Sequence, residues 1–211
     1  APNLSSSGVC MMRRESQRLE SACVFCGSSD QADPQFLTAA RALGKGLADA
    51  DIRLVYGGGG VGLMGAVARA AQEAGGGVLG VIPTFLVGKE RALETVEHII
   101  VDNMHERKML MFQRSDSFVI LPGGIGTLEE VVELLSWSRL GLHGKPVVFY
   151  NPRGFWEPLF RLFQHTVDER LTPPEFMDAW VSVERVEEIV PALLGQGRER
   201  YPSEAAVGRR G

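Results

Sequence analysis

Two stretches of this chain hold the residue types that do chemistry. The first is Phe118-Val119-Ile120-Leu121-Pro122-Gly123-Gly124-Ile125-Gly126-Thr127-Leu128-Glu129-Glu130. Its four apolar residues read as a strand buried on both faces, and Pro122 denies the next ladder hydrogen bond. Three glycines then allow backbone amides to approach a ligand, and Thr127 opens an amphipathic helix with Val131, Val132, Leu134 and Leu135 on one side. A strand, a glycine turn and a helix start form an anion site, since free N–H groups and the positive end of the dipole converge there. Gly123, Gly124, Gly126 and Thr127 are therefore read as a phosphate cradle. The Lys-Ser/Thr ending of a P-loop is missing, which argues against a Mg-nucleotide triphosphatase.

The second stretch is Met104-His105-Glu106-Arg107-Lys108, on a helix that Asn103 can cap. Arg107 and Lys108 stand near its N-terminal end and oppose the dipole, a conflict of the kind found at functional sites. Glu130 has a structural reading as well, because Thr127-x-x-Glu130 fits a capping box.

Together the two stretches resemble the LONELY GUY (LOG) family, nucleotide phosphoribohydrolases often mislabelled as lysine decarboxylases. The family signature Pro-Gly-Gly-x-Gly-Thr-x-x-Glu is met by Pro122 to Glu130, and its Arg-Lys pair by Arg107 and Lys108. The resemblance runs from about Ala22 to about Leu194. It implies that Arg107 and Glu130 are catalytic, with Lys108 and Glu129 beside them at the substrate. Ser136 occupies a position resembling one that contacts nucleotide in the family. Glu90 resembles the acid of a Pro-Arg-Glu element, although Gly88-Lys89 precede it here and a solvated charge run reads equally well. The implied substrate is a cytokinin riboside 5′-monophosphate or AMP, with no metal and no organic cofactor. The implied assembly is a homodimer sharing its active sites.

A further glycine turn, Gly57 to Gly65, satisfies the dinucleotide fingerprint at Gly60, Gly62 and Gly65. It follows the second expected strand rather than the first, and the ribose-binding acid about twenty residues on is missing, so NAD is a poor fit. Contact of Gly60 and Gly62 with a mononucleotide is the better account. Gly27 and Ser28, after the first strand, sit where open α/β sheets bind ligands.

Strands alternating with helices indicate a single-domain α/β fold, a Rossmann-like doubly wound parallel sheet. Residues 21–194 are expected to form it, between flexible segments at 1–20 and 195–211. At 211 residues, with 45% apolar and 23% charged residues, the composition is that of a globular protein. A formal charge of −4 gives no reason to expect nucleic acid as a partner. No apolar run reaches membrane-spanning length and no signal-peptide core is present, so the expected location is the cytoplasm. Cys23 and Cys26 have C-x-x-C form but lie in an expected strand, and buried free thiols suit them better than zinc.

Two rival functions use the same residues. A molybdenum-cofactor carrier of this fold would bind without turnover and would have no need of an Arg107–Glu130 pair. Lysine decarboxylation needs a pyridoxal-binding lysine, and Lys45, Lys89, Lys108 and Lys145 have no such setting.

Overall fold

The computed structural model describes residues 19–89 and 91–200. Among these residues seven strands form one sheet: β1 (Ser21–Phe25), β2 (Arg53–Tyr56), β3 (Val78–Pro83), β4 (Glu97–Val101), β5 (Ser117–Ile120), β6 (Val147–Tyr150) and β7 (Val181–Val183). Every pairing is parallel and the order is β4-β3-β2-β1-β5-β6-β7. The expected doubly wound sheet is therefore present. The connecting helices are α1 (Pro34–Asp49), α2 (Gly62–Glu73), α3 (Met104–Gln113), α4 (Ile125–Arg139), α5 (Glu157–Asp168) and α6 (Ile189–Arg200).

Alternation along each central strand feeds two cores. Val24, Leu54, Val119 and Val148 pack with Leu43, Val67 and Leu193 of α1, α2 and α6 on one face. Phe25, Val55, Phe118 and Phe149 pack with Met111, Val131 and Leu134 of α3 and α4 on the other. Cys23 and Cys26 are buried free thiols in opposite cores, as their three-residue spacing in a strand predicts.

Local signals explain several helix ends. Asn103 Oδ1 accepts the Glu106 amide at 2.9 Å, and Glu106 in turn accepts the Asp102 amide at 3.0 Å, which starts α3. Gly141, at φ 73°, ends α4 while the Leu142 amide donates to Trp137 O. The last helix differs from expectation. It continues past Leu194 to Arg200 despite two glycines, because packing outweighs propensity: Gln196 is buried and donates to Val147 O at 3.2 Å. At the other end, Leu19 already belongs to the core and the Glu20 amide donates to Asp116 Oδ2. The rest of the two expected terminal extensions lies outside the described residues. Among the described residues no helix is long and apolar enough to cross a membrane.

Candidate active site

The strand order reverses between β1 and β5, and a cleft of about 340 Å³ opens where their carboxyl ends part. That volume falls in the range of small-molecule sites, about 300–1,000 Å³. Gly27, Ser28 and Ser29 form one wall, and the Gly27 amide donates to Pro122 O at 3.1 Å, which joins the two turns.

The opposite wall is the first turn of α4. Its N-cap is Gly124, and the first intrahelical bond runs from the Leu128 amide to Gly124 O at 3.0 Å. The amides of Ile125, Gly126 and Thr127 thus precede any carbonyl the helix can offer them. Gly124 has no side chain, so nothing caps this terminus from within the turn. The helix opens three residues earlier than a Thr127 cap requires, and the Thr127–Glu130 capping box is not formed. Thr127 is instead buried against Gly123, where a Cβ would lie 2.1 Å from Thr127 Oγ1. Gly123 serves that packing and does not line the cleft. Gly124 and Gly126 do line it, and a Cβ on either would meet nothing within 4 Å.

Arg107 reaches the cleft from α3 although it is only 5% exposed. Burying a guanidinium is costly unless its N–H groups are accepted. Nε donates to Val81 O at 3.1 Å and Nη2 to Gly57 O at 2.6 Å. A Cβ on Gly57 would lie 2.2 Å from Nη2, so any side chain there would push the guanidinium from this position. Glu130 enters the same cleft from α4. Burial first, and then the Glu130 carboxylate, push the thiols of Cys23 and Cys26 well up, so Cys26 lines the cleft as a neutral group and not as a nucleophile.

Other expected contacts fall elsewhere. Lys108 forms ion pairs with Glu129 and Glu133 outside the cleft, because the helical turn between neighbours aims it away from Arg107. Glu129 is committed to that pair. Ser136 lies on the outer face of α4 beside Val132, more than one and a half turns beyond the cleft residue Glu130. Gly60 and Gly62 pack against backbone: a Cβ on Gly60 would lie 2.0 Å from Arg91 O, and one on Gly62 2.6 Å from the Ser28 carbonyl carbon. Their helix start is already occupied, for Asp30 Oδ1 accepts the Gly62 amide at 3.3 Å. Glu90 lies outside the described residues. Sequence reasoning missed Gly57, Met64 and Met111. Met111 stands one turn beyond Arg107, so helical spacing taken from the arginine would have found it.

A family model described as "Possible lysine decarboxylase" matches residues 64–193. A probable cytokinin riboside 5′-monophosphate phosphoribohydrolase of Oryza sativa subsp. japonica is 47% identical, over 82% of this chain and 80% of its own. A cytokinin riboside 5′-monophosphate phosphoribohydrolase of Arabidopsis thaliana is 44% identical, over 83% and 78%. Among solved structures, a molybdenum cofactor carrier protein of Chlamydomonas reinhardtii aligns with a TM-score of 0.65 at 23% identity, over 85% of this chain and 98% of that one. That likeness is one of fold. Identity above 40% across four-fifths of the sequence, with the glycine turn, arginine and glutamate gathered at one cleft, means that the chain belongs to the LONELY GUY family of phosphoribohydrolases.

Proposed function

We propose that the protein hydrolyses the N-glycosidic bond of a nucleoside 5′-monophosphate, releasing the free base and ribose 5-phosphate. One observation carries this reading: Arg107 and Glu130 line a cleft whose wall is an open helix N-terminus with two glycines facing empty space. The amides of that turn suit the 5′-phosphate, and the missing side chains leave room for it. With the phosphate gripped, the ribose is presented to Glu130, and binding energy away from the bond orients it. As the bond from C1′ to the base nitrogen breaks, its electron pair leaves with the base and positive charge grows on the sugar. Glu130 stabilises that charge and takes the proton of the water that attacks C1′; the departing base nitrogen takes up a proton from solvent, and Glu130 returns its own to solvent, so that water is divided between ribose and base. Arg107, fixed by two carbonyls, holds substrate oxygens and orients the acid. Every step uses side chains and water.

Cytokinin riboside monophosphates, named for the relatives, and AMP are the proposed substrates. A homodimer is proposed on the outer face of α4, where Ile125 is 83% exposed with Leu128 and Val132 alongside. Ile125 also borders the cleft, so a second copy docked there would help close it.

The test offers isopentenyladenosine 5′-monophosphate, AMP, GMP, CMP and lysine separately to the purified protein and separates the products by chromatography. Base release is expected from the first two, with no cadaverine from lysine. Glu130→Gln is expected to lower turnover by about 10²–10⁴-fold while AMP still binds. Normal turnover by that variant would remove the carboxylate from the chemistry.

A further inference from the structure

We propose that Lys108 is a positioning residue that ties α3 to α4 beside the cleft and so holds Arg107 and Glu130 in register. Lys108 Nζ donates to Glu129 Oε1 and to Glu133 Oε2, carboxylates one turn apart on α4. The lysine side chain is 13% exposed and that of Glu133 25%, so this pair is shielded from solvent more than an ordinary surface bridge, while Glu129, at 52%, stands at the rim. Burial draws the ammonium's pKa down, and the two carboxylates more than offset it, leaving Lys108 firmly cationic.

The same stripes continue away from the cleft. Phe112 lies one turn beyond Lys108 on α3, and Trp137 one turn beyond Glu133 on α4. Their rings meet edge to face with centroids 5.2 Å apart. One seam between two helices is therefore aromatic at its far end and ionic at its near end. Packing alone would hold the helices with less desolvation cost, as the aromatic half does. What an ammonium held between carboxylates one turn apart adds is direction, because a slip along the axis lengthens one of its two contacts.

That register matters for a reason of sequence adjacency. Arg107 precedes Lys108 on α3, and Glu130 follows Glu129 on α4. Neighbouring residues of a helix point about 100° apart, so the faces beside this seam are the ones that present Arg107 and Glu130 to the cleft. A slip of either helix would separate guanidinium from carboxylate, and misplacement by an ångström can cost about 10²-fold in rate. Lys108 thus acts on the reaction through α4 and not by touching phosphate.

The kinetic part of the test rests on the phosphoribohydrolase reading. It compares wild type, Lys108→Met and Lys108→Arg with isopentenyladenosine 5′-monophosphate as substrate, and measures AMP affinity by calorimetry. Lys108→Met is expected to lower kcat about 10- to 100-fold with AMP affinity within about threefold of wild type. Lys108→Arg is expected to recover most of kcat, since a guanidinium can span both carboxylates. Unchanged kcat in Lys108→Met would overturn the proposal. So would AMP affinity weakened by about tenfold or more, the mark of a lost phosphate ligand. A second measurement needs no turnover: thermal stability of Lys108→Met, Glu133→Gln and the double variant. Non-additive losses support the tie, and strictly additive ones overturn it. A wild type that released no base would count against the enzymatic reading alone.

Discussion

Two glycine-rich turns link a strand to a helix in this fold, and they do opposite things. The turn between β2 and α2 packs its last three glycines against backbone, while Gly57 at its start borders the cleft. Gly60 meets Arg91, Gly62 meets Ser28 and Ser29, and Gly65 meets Gly60. Its helix start is spent on Asp30. The turn between β5 and α4 leaves Gly124 and Gly126 facing open space at a helix start whose N-cap residue has no side chain. A missing Cβ therefore has two physical meanings. In the first turn it lets the chain touch itself, and in the second it lets something else touch the chain. The dinucleotide fingerprint at Gly60, Gly62 and Gly65 belongs to the first kind, which is why it satisfies a pattern without forming the site.

The comparison breaks most sharply on Gly65→Val. A Cβ at Gly65 would lie 2.2 Å from Gly60 O and 2.8 Å from an Arg69 guanidinium nitrogen. The backbone contact has no flexible end to yield, so the variant is expected to lose more than about 4 kcal/mol of stability, read by urea unfolding. A loss below about 1 kcal/mol would mean that the β2–α2 turn is looser than its packing indicates.

Gly126→Val tests the other side. The position is helical and its Cβ meets nothing, so exchange of glycine for a better helix former is expected to leave stability unchanged or raised by up to about 1 kcal/mol. AMP affinity measured by calorimetry is expected to fall about tenfold or more, because methyl groups would occupy the approach to the amides. Retained affinity would move the phosphate away from α4.

Much of this was legible in the residues, and what was not shares a cause. The parallel sheet followed from apolar runs alternating with helical periods, and the expectation that Arg107 and Glu130 share a cleft, where both do lie, came from the family that two short stretches resemble. The cap of α3 by Asn103 and the end of α4 at Gly141 were local signals read correctly. Lys108, Glu129 and Ser136 lie outside the cleft of this chain because type and spacing report proximity along the sequence, whereas a helix turns neighbours to different faces. Thr127 was taken for a cap because it is the first hydroxyl in the turn, yet the helix starts on Gly124, where no side chain signals it. Whether Gly60 and Gly62 faced a ligand depended on Arg91 and Ser28, remote in sequence and unreadable from the turn itself.

The smallest expected effect concerns Asp30, which reaches from the β1 turn to cap α2. Its Oδ1 accepts the Gly62 amide, and the Leu63 amide donates to Gly27 O at 3.1 Å, so the start of α2 is closed by the loop that walls the cleft. Asp30→Ala removes one acceptor from a helix start, a change worth about 0.5–2 kcal/mol. In a chain of this size that lowers Tm by about 2–4 °C per kcal/mol, measurable by calorimetric scanning. The same variant discriminates between the turns. Freeing the start of α2 would strengthen nucleotide binding if the phosphate sat there, because the carboxylate now occupying it repels an anion. With the phosphate on α4, AMP affinity stays within about twofold of wild type while Tm falls. A tighter complex from Asp30→Ala would assign the anion to α2 and turn the distinction between the two glycine turns around.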